Sequence, residues 1–245
     1  MYIDKRAIYF IMAIMVISGL ISYINEPGML VKLLLTIPGV LIAITFHEFA
    51  HAFAADKLGD DTPRSQGRLT LNPFAHLDPI GSIMLLFAGF GWGKPVVVNP
   101  RNYDRRMSMD KADAIVSIAG PLMNLALSII LTLIYCVIYK FCYNAVLTSQ
   151  ILQIVMLMIY YAISINVGLG LFNLIPLPPL DGSKVIKPLL SFNAREWFES
   201  NQQTFEIIFA VLWILGILGR IISPLIGIVF TGLMKLGTLI FGITL

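Results

Sequence analysis

His47-Glu48-Phe49-Ala50-His51 sits inside an apolar run from Leu30 to Ala55, and this stretch decides how the chain is read. HExxH on a helix is a zinc-hydrolase signature. Positions four apart differ by about 40° around a helix of 3.6 residues per turn, so both imidazoles face one way and can share a metal. Water is scarce at membrane depth. A hydrolase placed there implies a substrate that is itself a membrane segment.

Composition points the same way. The 245 residues are 58% hydrophobic and only 13% charged, against about 25% charged in a soluble domain. The expectation is an all-α polytopic membrane protein forming one domain over residues 1–245. The net charge of +3 is small, and no basic stripe with interleaved aromatics occurs, so no nucleic-acid partner is expected. Cys136 and Cys142 have neither zinc-ribbon nor redox spacing and read as small apolar helix residues. The basic N-terminus and its apolar run lack a small-residue cleavage site, and Glu26-Pro27-Gly28 reads as a turn, so the run is taken as a retained first span.

Spans of about 20 apolar residues are expected at Ala7–Ile24, Leu30–Ala55, Asp113–Tyr139, Ile151–Leu174, Phe205–Gly219 and Ile221–Ile243. The last two are one long apolar stretch interrupted by Arg220 and Pro224, read as two short spans, which gives about six helices, with one span plus an interfacial helix as the alternative. Arg64, Arg68, Lys94, Arg101, Arg105 and Arg106 fall between the second and third spans, and Lys184, Lys187 and Arg195 follow the fourth. The positive-inside rule then makes these connections and both termini cytoplasmic. The ends of the HExxH helix and of the fourth span share that side. Between spans two and three, Arg68 to Pro73 and Pro95 to Val98 read as short strands, and Ile80 to Phe90, too short to span, as a re-entrant or interfacial segment.

A catalytic zinc takes three protein ligands and keeps one position open. His47 and His51 supply two. Asp181 follows the fourth span in Asn173-Leu174-Ile175-Pro176-Leu177-Pro178-Pro179-Leu180-Asp181-Gly182, where the prolines stop the helix and the glycine permits a tight turn. A carboxylate held there is costly unless it meets a charge or a metal, so Asp181 is the expected third ligand. Glu48 is the expected general base, taking a proton from metal-activated water and passing it to the leaving amine.

These residues resemble the site-2 protease family of intramembrane zinc metalloproteases. The likeness is carried by the HExxH segment, by Gly120-Pro121-Leu122-Met123-Asn124 and by Asn173 through Gly182. Gly67 to Gly81, with Asn72-Pro73-Phe74-Ala75-His76-Leu77-Asp78-Pro79, is similar to the compact prokaryotic branch that lacks PDZ and CBS domains. The resemblance implies a three-helix catalytic core over about residues 30–182 and accessory or gating helices over 183–245. It also implies one zinc on His47, His51 and Asp181, Glu48 as the catalytic residue, a transmembrane protein substrate in the lipid bilayer and a prokaryotic plasma-membrane location.

Other residues carry two readings. Asn124 is either a donor to the scissile carbonyl or its oxyanion or a polar contact between helices. Asn173 either binds substrate or caps the broken helix. His76 is either a displaceable fourth ligand or substrate-side contact, or a structural turn histidine beside Pro73 and Pro79. Gly89 to Val98, with Gly89, Gly91, Val96 and Val97, is expected to clamp substrate as an added strand; a surface anchor through Trp92 is the alternative. The competing functions are a non-proteolytic membrane escort and a metal transporter. The complete metal and base set argues against the escort. The lack of repeated broken helices argues against the transporter. Nothing in the pattern sets an oligomeric state.

Overall fold

The computed structural model describes residues 5–88 and 93–243, in which the regular elements are helices. In chain order the helices are α1 (Lys5–Asn25), α2 (Pro27–Lys57), α3 (Thr62–Ser65), α4 (Pro79–Ala88), α5 (Met109–Phe141), α6 (Tyr143–Thr148), α7 (Gln150–Asn173), α8 (Gly182–Ile186), α9 (Phe192–Ser200), α10 (Gln202–Ile214) and α11 (Ile217–Phe241). Four of them, α2, α5, α7 and α11, are long and apolar enough to cross a membrane. Pro27 occupies the first turn of α2, where its missing N–H costs no bond.

The core is the trio α2, α5 and α7, which pack most closely on one another. In lipid there is no hydrophobic drive between helices, so close packing rests on small residues. A Cβ on Gly39 of α2 would lie 2.8 Å from Ala162 Cα of α7, and one on Gly170 of α7 would lie 3.1 Å from the Pro121 carbonyl of α5. Ala43 on α2 and Ala162 and Val167 on α7 are buried.

The C-terminal region corrects the sequence expectation. The break falls at Gly216, in the left-handed region at φ 68°, and Arg220 and Pro224 both lie inside α11. With 13 residues, α10 is only about 20 Å long at 1.5 Å per residue, short of a hydrocarbon core of about 30 Å. It packs by Phe209 and Trp213 on Phe172, at the end of α7. From there α11 runs antiparallel to α7, with Phe230 on Tyr160. It is parallel to α5, and Lys140 Nζ donates to the Phe241 carbonyl at 2.6 Å. Residues 202–241 therefore hold one helix long and apolar enough to span, α11, preceded by the shorter apolar helix α10. The end of α11 thus lies beside the end of α5.

Between α2 and α5 the expected strands do not form a ladder among the described residues. Asn72 instead caps a 3₁₀ turn at Pro73–Ala75 by accepting from the Phe74 N–H at 3.1 Å, and Asp78 caps α4 by accepting from Gly81 N–H at 2.7 Å. An isolated antiparallel bridge joins Leu77 to Gly93. The chain thus leaves and returns at one place, with α4 lying against α1 in between. Tyr23 Oη donates to the Leu86 carbonyl there.

From Lys94 to Asn99 the chain carries no regular secondary structure, and buried charges anchor it. Arg68, 5% exposed, donates from Nη2 to the Lys94 and Pro95 carbonyls, both at 3.0 Å, and from Nη1 to the Ala75 carbonyl. Asp60, fully buried, accepts from the Asn99 N–H at 2.6 Å and from Asn102 Nδ2 at 3.0 Å.

Candidate active site

His47 and His51 lie on the buried face of α2, 6% and 8% exposed. Helical spacing brings their Nε2 atoms to 3.0 Å from each other. The chain leaves α7 at Asn173 and turns back through the proline-rich segment to bring in Asp181. Its Oδ2 lies 3.1 Å from His47 Nε2 and 3.3 Å from His51 Nε2. A Cβ on Gly182 would strike the carbonyls of Leu174 and Ile175, so only glycine lets the turn close this tightly.

Helix α5 sets the tautomers. His51 Nδ1 lies 2.7 Å from the Val116 carbonyl, which can only accept, so Nδ1 carries the proton. His47 Nδ1 lies 2.6 Å from Asn124 Oδ1. The Asn124 amide is oriented by its other contacts: Nδ2 donates to the Ala43 carbonyl at 2.9 Å and to Asn166 Oδ1 at 3.0 Å, leaving Oδ1 to accept from His47. Both Nε2 atoms are then unprotonated lone-pair donors. They converge with a carboxylate oxygen that is buried and has no hydrogen-bond donor of its own.

Three electron-pair donors in contact repel one another unless a cation lies among them. Their separations of 3.0, 3.1 and 3.3 Å approach the edge of about 3.3 Å expected for a tetrahedron with zinc–ligand bonds near 2.05 Å. Two imidazoles and a carboxylate are a zinc donor set, and each histidine has the outer-shell acceptor such ligands use. The residues therefore fit a zinc ion. Gly120 makes the approach possible: a Cβ there would lie 2.7 Å from His47 Cε1 and would overlap His51 Nε2.

Glu48 is half-buried on α2. Its Oε2 accepts from the Val96 N–H at 2.8 Å. The extended segment expected to meet substrate therefore lies against the expected base. Val97 is 55% exposed. Gly89 and Gly91, also expected to contact substrate, lie outside the described residues, as does Trp92. Asn173 donates to the Leu169 carbonyl at 3.0 Å on its own helix. Asn124 is fully buried with both amide hydrogens taken, so it has none for an oxyanion. His76 stays apart from the cluster: it is fully buried, its Nε2 faces the Thr70 carbonyl at 2.8 Å, and its own carbonyl accepts from the Lys94 N–H at 2.8 Å.

Sequence reasoning did not identify Val116, Asn166, Arg68 or Asp60 as parts of the site's support. A carbonyl has no sequence signal. The buried asparagine Asn166 and the charges Arg68 and Asp60 were visible as costly groups near a membrane.

Comparison with known proteins agrees with this geometry. The profile of peptidase family M50 matches residues 96–216, a range that holds α5, α7 and Asp181. A protein of Bacillus subtilis named "Putative zinc metalloprotease YwhC" is 38% identical over 204 residues, covering 82% of this chain and 90% of the relative. Two mycobacterial proteins, each named "Putative zinc metalloprotease Rip2", are 30% identical. The one from Mycolicibacterium smegmatis aligns over 76% of this chain and 69% of its own length, and the one from Mycobacterium tuberculosis over 74% and 67%. No solved structure matches. The chain belongs to peptidase family M50, the site-2 proteases, and is a multi-pass membrane metalloprotease.

Proposed function

We propose that this enzyme is an intramembrane endopeptidase that cleaves transmembrane or membrane-proximal segments of other proteins. The observation that carries the reading is the convergence of the half-buried Asp181 on His47 and His51, which are buried among three closely packed helices long and apolar enough to span a membrane. His47, His51 and Asp181 are the proposed zinc ligands, one ion per chain. Zinc held there supplies Lewis acidity, lowering the pKa of water toward about 7 and polarising a carbonyl.

Glu48 moves the protons. With Oε2 held by the Val96 N–H, Oε1 is the proposed basic atom. It takes a proton from the attacking water as the C–O bond forms at the scissile carbonyl. It returns that proton to the amide nitrogen as the C–N bond breaks. Asn124 acts as a positioning residue for His47 rather than as an oxyanion donor, and Asn173 terminates α7. Val96 and Val97 present an extended edge to which an unwound substrate segment adds as a strand. The whole chain works as one peptidase domain, with α10 and α11 as accessory helices beside the core.

The proposed topology takes α1 as a span antiparallel to α2, giving five crossings rather than six. The Leu77–Gly93 bridge and the contact of α4 with α1 support α4 as a re-entrant segment. The concentration of Lys and Arg in residues 57–111 and 184–195 supports a cytoplasmic site mouth and N-terminus in a plasma membrane. The direction of α11 then places the C-terminus on the other face.

Purified protein in detergent tests this, with metal content and cleavage of a helix-destabilised membrane substrate followed together. Wild type should carry about one zinc per chain and cleave. Asp181→Ala should lose both zinc and cleavage; retention of full zinc would remove Asp181 from the ligand set.

A further inference from the structure

The Asn124 amide is symmetric in shape but not in chemistry. Rotated by half a turn, it would offer NH₂ to His47 and set its oxygen against the Ala43 carbonyl. His47 would then be driven to carry its proton on Nε2, where no lone pair would remain for a metal. Something must select the orientation that exists.

Asn166, on α7, is in contact with that choice. It is fully buried. Its Nδ2 donates to the Ala162 carbonyl at 2.8 Å, one helical turn earlier. That carbonyl can only accept, so the Asn166 amide cannot turn over, and its Oδ1 must face Asn124 Nδ2 at 3.0 Å. The Ala43 carbonyl, at 2.9 Å from the same nitrogen, enforces the choice from α2. The polarity runs in one direction: the Ala162 carbonyl orients Asn166, Asn166 orients Asn124, Asn124 orients His47.

Resting on the metal-site reading above, we propose that Asn166 is a positioning residue for the metal centre, which holds His47 in its ligating tautomer through Asn124. Its helix thereby contributes twice to the centre, once through Asp181 beyond its C-terminus and once through this relay. A purely structural asparagine would join α5 to α7 and stabilise the bundle, without selective effect on zinc affinity.

The experiment is a zinc titration of the full-length protein in detergent against a chromophoric chelator. It compares wild type, Asn166→Leu, Asn166→Asp, Asn124→Leu and the double Leu variant, with the thermal melt of each metal-free protein as a fold control. Changes to such outer-shell partners weaken metal binding by about 10–100-fold. Asn124→Leu should fall in that range and Asn166→Leu near its lower end. The double variant should be no weaker than Asn124→Leu alone, because Asn166 acts through Asn124. Asn166→Asp, whose oxygen accepts from Asn124 in either protonation state, should restore affinity to within a few fold of wild type. Wild-type affinity in Asn166→Leu, or a full multiplicative loss in the double variant, would overturn the relay while leaving the metal site standing. A wild-type protein that takes up no zinc would overturn the metal reading itself, and the relay with it.

Discussion

The Val96 N–H donates to Glu48 Oε2 at 2.8 Å, joining two residues 48 positions apart. One carboxylate oxygen is committed to the extended segment and the other is left for chemistry. The contact also fixes how far that segment stands from the two histidines flanking Glu48.

Glu48→Gln preserves this contact, because the glutamine carbonyl can still accept from Val96. The variant should keep one zinc per chain and lose cleavage by about 10²–10⁴-fold, the range for removal of a general base. Metal analysis and product quantification on the same preparation check this. Substantial residual proteolysis in a zinc-loaded variant would end the base assignment.

Gly120→Ala should damage the metal centre with little change to the helix it sits in. The new methyl would overlap His51 Nε2 and crowd His47 Cε1 at 2.7 Å. Overpacking of this kind costs about 1–3 kcal/mol, which the site can relieve by turning an imidazole away. Zinc affinity should fall by at least about 10-fold while the far-ultraviolet circular dichroism stays helical.

Asp60 gives the chain a predictable acid sensitivity. Burial alone would raise its carboxyl, but hydrogen bonds from the Thr62 hydroxyl, the Asn99 N–H, Asn102 Nδ2 and the Thr62 N–H outweigh burial and hold it below its ordinary value. A depressed folded-state pKa contributes stability that is present above the unfolded value of about 3.9 and is lost as pH falls through the folded one. Asp60→Ala strands buried donors and should destabilise by about 1–3 kcal/mol at neutral pH. Melting temperatures at pH 7 and near pH 3 should differ less in this variant than in wild type.

Metal removal should cost stability as well as activity. Three ligands from two separate parts of the chain meet at one point, so an ion bound there favours the folded bundle alone. At a free zinc concentration 100 times Kd the gain is about 2.7 kcal/mol. Chelation should lower the melting temperature and stop cleavage, and added zinc should reverse both. A melting temperature indifferent to zinc would contradict the convergence of His47, His51 and Asp181.

What could be read from the sequence was local. The facing of His47 and His51 follows from helical periodicity alone, and the prolines before Asp181 announce a broken helix with a carboxylate at its end. The two ends of the Val96–Glu48 contact carry no mark of each other. Asn124 was recognisable as a polar residue in an apolar span, but its task depends on Ala43 and Asn166 from two other helices. The C-terminal break was misread for a physical reason: Arg220 is exposed near the start of α11, and Pro224 is accommodated within it. The residue that cannot continue the helix is Gly216, whose positive φ leaves no trace in a hydropathy pattern.

The separation of the ligands along the chain bears on how the enzyme is made. His47 and His51 are synthesised about 100 residues before α7, and a pair of imidazoles leaves a zinc site one ligand short of the usual three. Asp181 and the Asn166 contact arrive only after the third core helix has been inserted and packed. With these three residues as the proposed ligands, the metal site is incomplete until residue 181 has been made, and a chain truncated before it is expected to be inactive.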